Sequence, residues 1–182
     1  MDSGHKKDLV FEFCRASAFA GIMRPSKGRG VGAGKVQWGD FRQRDGETLG
    51  FHWTEKKTQN LRVVDIDTNF WKTTIKGKLR QAKGEKGAIT FFADDDQHDH
   101  AMLRNHLTSE YGQLNTVDGV SVEEWTRRPD GQNHLLDCFI GSAAAASLEG
   151  IRLVQQQAEE PKKKAKLRFA TRAEWLAWKS GG

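Results

Sequence analysis

Apolar residues recur at helical spacing in the segment 132–148, which follows a turn signal at 128–131. The segment contains no proline and is rich in strong helix formers, so it is predicted to form a helix. Its large apolar residues spread around the helix; they are Leu135, Leu136, Phe139 and Ile140. Such a distribution predicts a helix that is largely buried.

One stripe of this helix is polar at its start and nearly free of side chains afterwards. Positions three and four apart share a helical face, which aligns Asn133, Asp137, Gly141 and Ala144 or Ala145. A carboxylate in a buried helix is either satisfied by local hydrogen bonds or used for function. We therefore expect Asp137 to be a metal ligand or a buried cap, and the stripe alone does not decide between them.

The remaining chain alternates between helical and extended patterns, and the predicted fold class is α/β. A helix is expected around Val10, Phe13 and Cys14, and another after Thr68 or Asn69 as its cap. A third helix is expected over 102–111. Strands are expected at 21–28, 51–53, 61–67 and 88–92, with a turn at 46–50 and a hairpin at 116–125.

Length and charge narrow the classes of function. The chain has 182 residues, the size of one domain. Its net charge of +5 and pI near 9.3 make a polyanion a plausible partner, although 24 acidic residues accompany the 29 basic ones. Cys14 and Cys138 lie in apolar patterns, which predicts buried thiols in a reducing compartment. With no long apolar run and no leader pattern, we expect a soluble, cytoplasmic type of protein without a membrane partner.

The composition changes after Gly150, so we expect a domain at 1–150 and a basic linker with a short tail helix at 151–182. The tail contains Pro161-Lys162-Lys163-Lys164 and a capping box at 171–174 that precedes two tryptophans. A basic segment beside tryptophans can bind nucleic acid or a partner protein, and it can equally be a frayed tail.

Three other segments could carry chemistry, and each also has an ordinary structural explanation. The glycine-rich stretch 29–34 could contact phosphate or be a mobile loop. The helix after Asn69 should expose Lys72, Lys76, Lys78 and Arg80, as a phosphate-tracking face or as a solvated one. The run of acids and histidines at 94–100 is consecutive, whereas zinc ligands are usually spaced, so a solvated connection is the simpler interpretation.

Three short sequences stand in a fixed order along the chain: Asp2-Ser3-Gly4, Ser26-Lys27-Gly28, and Asn133-His134-Leu135-Leu136-Asp137-Cys138. This order resembles the nuclease domain of the large terminase subunit of tailed bacteriophages, the GpA-type family. The segments 63–68 and 87–92 support the resemblance, which covers residues 2–150. No single motif is decisive, and the order and spacing carry the assignment.

The resemblance implies an RNase H-like nuclease fold in which acidic residues hold two Mg²⁺ or Mn²⁺ ions and cut concatemeric double-stranded DNA. Asp2 and Asp137 match catalytic, metal-binding acids of the family. His134 stands where many relatives have glutamate, and it could ligate metal, shuttle a proton or line the groove. Asp65 and Asp67 are possible auxiliary acids, with a structural role at the strand end the simpler expectation. For DNA contacts we expect the basic residues Lys27, Arg29, Lys35, Lys72 and Lys76.

Two departures from the family pattern open an alternative function. The family's first catalytic aspartate, on an opening strand, and its ATPase domain are expected upstream of this chain, so the chain itself should cut DNA poorly. A non-catalytic DNA-binding or motor-assembly remnant is therefore the second hypothesis, and another RNase H-like nuclease such as a resolvase or transposase is the third. The family further implies the small terminase subunit and the portal as partners, an oligomeric motor, and action in the host cytoplasm.

Overall fold

The computed structural model describes residues 3–4, 6–92 and 99–152. The described helices are α1 (Lys7–Ala16), α2 (Thr68–Arg80), α3 (Ala101–Thr108) and α4 (His134–Leu148), with a short 3₁₀ turn at Trp38–Asp40. The strands are β1 (Ser26–Arg29), β2 (Glu47–Gly50), β3 (Trp53–Thr58), β4 (Leu61–Asp67), β5 (Glu110–Val117) and β6 (Val120–Arg127). This mixture confirms the α/β class, while the RNase H-like topology stays a prediction.

The strands form two sheets. The larger has the order β1-β4-β3-β2, in which β1 and β4 are parallel and the other neighbours are antiparallel. The smaller is the antiparallel hairpin β5-β6, turned at Asp118-Gly119 as the sequence predicts. Both turn residues have positive φ, 50° and 79°, as expected for a two-residue hairpin loop with a right-handed twist. Within the described residues, no helix is long and apolar enough to cross a membrane.

Strand β4 is apolar towards both faces of the larger sheet. Val64 and Ile66 belong to a core shared with α2 and α4, while Leu61 and Val63 pack against α1. The first core contains the fully buried Trp71 and Leu136, and the second contains Phe11 and Cys14. Helices therefore cover both sides of this sheet, with α2 and α4 on one face and α1 on the other.

The buried indoles of the first core retain their hydrogen bonds. Nε1 of Trp53 donates to Oγ of Ser147 at 3.2 Å, and Nε1 of Trp71 donates to the carbonyl oxygen of His52 at 3.1 Å. A buried tryptophan ordinarily needs such a partner, because an unpaired indole N–H is costly. These bonds attach α4 to β3 and α2 to the turn between β2 and β3.

The start of α2 differs from the prediction of a Thr68 or Asn69 cap. Asp67 is the capping residue, and its Oδ1 accepts the backbone N–H of Phe70 at 3.2 Å. Its Oδ2 contacts Nδ1 of His52 at 2.8 Å, and the His52 ring stacks on Phe70 at 3.6 Å between centroids. Asp67 thus has the structural role at the strand end that the sequence favours.

Two strands of the larger sheet and one segment outside it were predicted wrongly. Residues 47–50 form β2 rather than a turn, and the segment expected as a polar connection forms β3, because pairing between strands outweighs its weak apolar pattern. Residues 88–92 do not form a strand. Ile89 instead donates its N–H to the carbonyl of Lys78, and Phe91 packs on Phe139.

The hairpin lies against α2, and this contact corrects the predicted exposure of Lys72 and Lys76. Nζ of Lys72 lies 2.6 Å from Oε2 of Glu110, with the lysine side chain 12 % exposed. Lys76 is buried, donates to the main-chain oxygen of Glu110 at 3.2 Å and lies over the Trp125 ring. Lys72 therefore balances the buried carboxylate of Glu110, and Lys76 holds the main-chain oxygen of the same residue.

We expect Leu136→Ala to lower the free energy of unfolding by about 2–5 kcal/mol, because Leu136 is fully buried and the truncation leaves a cavity. Denaturant unfolding followed by circular dichroism measures this loss. Leu114→Ala is the matched control, since Leu114 is 73 % exposed, and it should change stability by less than about 0.5 kcal/mol. Equal effects from the two variants would contradict the placement of α4 in the core.

Burial lowers the pKa of Lys76 below its ordinary value of 10.5, against the opposing effect of Glu110. Between the lowered pKa and 10.5 the unfolded chain binds more protons than the folded one, so this group makes stability rise with pH. In Lys76→Met the free energy of unfolding should consequently rise less with pH over that interval. Urea titrations at several pH values test this, with the exposed Lys83→Met as control; parallel pH profiles for wild type and Lys76→Met would contradict it.

Candidate functional site

A groove of about 640 Å³ lies between α4 and the β1–β4 side of the larger sheet. Val64 and Ile66 form part of its floor, and Ile22 and Arg24, which precede β1, form part of its rim. The helix contributes small and polar residues, namely His134, Asp137, Cys138, Gly141, Ser142, Ala144 and Ala145. The predicted stripe therefore faces this groove from Asp137 onwards, while its first member, Asn133, is bonded to Glu110 instead.

Asp137 and His134 lie one helical turn apart at the start of α4, and both side chains are exposed along the groove. The N-terminal turn of a helix carries a partial positive charge, which stabilises a carboxylate such as Asp137. A carboxylate and an imidazole on one turn are both able to ligate a divalent ion. The predicted buried cap does not apply to Asp137, since the residue is exposed.

The beginning of the described chain is attached to a residue on the β1 side of the groove. The backbone N–H and the hydroxyl of Ser3 both donate to the carbonyl oxygen of Ser26 at 2.7 Å, and Ser26 lines the groove. Asp2 lies outside the described residues, so its approach to Asp137 stays a prediction. Its chain neighbour Ser3 is nevertheless attached to a residue that lines the same groove as Asp137.

The donor set within the described residues is partial. No group of three or more histidine, cysteine, aspartate or glutamate side chains that could hold a metal ion occurs among them. Asp137 and His134 are the sequence-predicted ligands found on the groove, and most of the acidic run at 94–100 lies outside the described part of the chain. Among the described residues, Asp137 and His134 thus provide one oxygen and one nitrogen donor, both from the α4 side of the groove.

The basic residues expected to contact DNA do not gather around Asp137. Register places Lys27 opposite Asp65 and Arg29 opposite Asp67 on parallel strands, so their side chains leave the sheet on the same side as these aspartates. Arg29 accordingly pairs with Asp65 at 2.9 Å. The neighbouring residues Val64 and Ile66 face the groove, which puts Lys27 and Arg29 on the other face of the sheet.

The glycine-rich stretch after β1 is packed against α2 rather than free of contacts. A side chain at Gly30 would approach Oδ1 of Asn69 to 3.1 Å, and Asn69 donates to the carbonyl of Val31 at the same distance. The N–H of Ala33 donates to Oε1 of Glu124 at 3.1 Å. A side chain at Gly30 would therefore be tight against α2, and a protein carboxylate contacts the loop amide. Lys35, just beyond, is exposed.

Two groups near the site, Glu110 and His106, were not identified from the sequence, whereas Asn133, which contacts Glu110, was. Glu110, Asn133 and His106 meet beside the first turn of α4, with Asn133 Nδ2 donating to Glu110 Oε1 at 2.7 Å and Leu135 N–H donating to His106 Nδ1 at 3.2 Å. Their separation along the chain hides the cluster from any local pattern. Cys138, expected to be buried, is exposed on the groove, while Cys14 is buried as predicted.

Comparison with known proteins assigns the family. Searches of curated proteins and of solved structures found no match. The family model for the terminase large subunit gpA, endonuclease domain, matches residues 1–159, which is most of the chain and includes the groove, both of its candidate ligands and the loop after β1. The chain therefore belongs to the terminase large subunit gpA endonuclease-domain family.

Proposed function

We propose that this chain is a divalent-metal-dependent endonuclease that cuts concatemeric double-stranded DNA during phage packaging, with an RNase H-like fold and its active site in the groove beside α4. The observation that carries the proposal is the exposure of Asp137 and His134 on this groove in a chain whose family is that of the terminase nuclease. The family supplies the reaction class, and the helix turn supplies candidate ligands.

In this proposal each residue of the groove has its own role. Asp137, with Asp2 from outside the described residues, would hold Mg²⁺ or Mn²⁺, and His134 is the third candidate ligand. Bound in this way, such ions stabilise the attacking and leaving oxygens of a phosphodiester. Arg24 lies on the rim with its charge balanced by Glu55 at 2.8 Å, so the bound ions rather than this arginine would attract the phosphate.

The assembled motor belongs to the same proposal. The family implies double-stranded DNA, the small terminase subunit and the portal as partners, and an oligomer acting in the host cytoplasm. A non-catalytic role in DNA binding or motor assembly is the second candidate. One observation favours it: Lys27 and Arg29, which were expected to contact DNA, lie on the face of the sheet opposite the groove.

Asp137→Asn should abolish Mg²⁺- or Mn²⁺-dependent nicking of supercoiled plasmid, because the neutral amide is a weak ligand for these ions. The nicking rate should fall by more than the roughly 10- to 100-fold that follows when a residue that only hydrogen-bonds to a metal ligand is removed. Glu149→Gln is the matched control, since it removes a negative charge from the other end of α4 in the same groove. Agarose gels measure the nicking, and Mn²⁺ binding followed by electron paramagnetic resonance gives a second readout.

An active Asp137→Asn variant would exclude the proposed site. A wild-type chain that binds DNA but never nicks it, at any concentration of either ion, would favour the non-catalytic candidate.

Lys27→Ala combined with Lys35→Ala should weaken DNA binding and reduce its salt dependence. Each lost phosphate contact lowers the slope of log affinity against log salt by about 0.9, and sequence preference should not change because lysine contacts to phosphate carry none. Fluorescence anisotropy at several salt concentrations measures the slope. Lys57→Ala with Lys83→Ala removes the same charge from other exposed positions and serves as control; an equal loss in both pairs would show that only net charge matters.

A further inference from the structure

The first turn of α4 is attached laterally to the segment that joins α3 to β5. Nδ1 of His106 accepts the N–H of Leu135, and Oε1 of Glu110 accepts from Nδ2 of Asn133. The same turn presents His134 and Asp137 to the groove. His106 and Glu110 thus hold the same helical turn that carries the candidate ligands.

Asn133 occupies the N-cap position without capping its own helix. An asparagine there normally accepts a backbone N–H of the first turn through its side-chain oxygen. In this chain Asn133 makes no such bond, and His106 provides the acceptor for Leu135 instead. The amide of Asn133 is consequently used to attach the turn to Glu110.

Glu110 is a rigid attachment point. Its side chain is only 2 % exposed, and Lys72 lies 2.6 Å from its Oε2. Oε2 has no hydrogen bond of good geometry. Its charge is therefore balanced by the nearby ammonium of Lys72 through an ion pair. Displacing a buried carboxylate from its counter-ion is costly, and the main-chain oxygen of the same residue is also held, by Lys76.

We propose that Glu110 is a positioning residue, which through Asn133 fixes the height and rotation of the first turn of α4 and so holds Asp137 and His134 at the groove. This inference rests on the proposed nuclease function. Its physical basis is that catalytic groups displaced by about 1 Å can lose about 100-fold in rate. Asn133 transmits the position, and Glu110 supplies the fixed point.

Asn133→Ala tests the link directly, because it removes the donor to Glu110 while removing no helix cap and leaving the Glu110–Lys72 pair in place. Hydrogen exchange of the peptide over 134–140 should become about 5-fold faster, as expected for one lost hydrogen bond of ordinary net strength. Nicking should slow by roughly 10- to 100-fold with DNA affinity unchanged. The exposed neighbour Gln132→Ala is the control and should leave exchange and nicking as in wild type.

Glu110→Gln separates positioning from stability. The glutamine oxygen can still accept from Asn133, so exchange in the first turn should stay slow, although the melting temperature falls because Lys72 loses its counter-ion. Unchanged exchange in Asn133→Ala, or nicking lost equally in Gln132→Ala, would overturn the inference. A wild type that does not cut, combined with faster exchange in Asn133→Ala, would refute the nuclease function while supporting the attachment of the turn to Glu110.

Discussion

Strand β4 carries apolar side chains on both faces of the sheet, so helices have to cover both faces. Val64 and Ile66 bring α2 and α4 to one side, and Leu61 and Val63 bring α1 to the other. The last two acids of the strand are buried as well, and each is compensated: Asp65 by Arg29 and Lys56, and Asp67 by His52 and the α2 amide. Because unpaired buried charges are costly, the contacts of Asp67 fix where α2 begins, and those of Asp65 attach β4 to its neighbours β1 and β3.

The sequence predicted the elements whose side chains repeat with a regular period. Helix α4, the small-residue stripe and the Asp118-Gly119 hairpin all follow from local spacing. Prediction from the sequence failed where pairing with a neighbouring strand decides the secondary structure. This is the case for β2 and β3, whose residues have little apolar pattern of their own. The contacts of Asn133 and Leu135 come from residues 23 and 29 positions away, so no local rule identifies them.

The buried lysines show a second limit of predicting exposure from the sequence. On a helical wheel Lys72 and Lys76 look like a solvated or DNA-binding face, yet the hairpin covers them because Glu110 and Trp125 offer a carboxylate and an aromatic ring. Charge alone does not report exposure, since a long lysine side chain can bury its methylene groups and still pair its ammonium. A basic helix face predicts a phosphate contact only when the neighbouring strands carry no matching acid.

The charges around the groove bear on how DNA could enter it. Asp137 and Glu149 line it as acids, while the positive charge of Arg24 is balanced by Glu55. Lys27 and Arg29 lie on the opposite face of the sheet, where they cannot offset these acids at short range. Such a groove repels a phosphodiester on its own, because like charges close together are unfavourable. Divalent cations held by Asp137 would reverse the local charge, so metal binding would have to precede or accompany DNA binding if this groove cuts DNA.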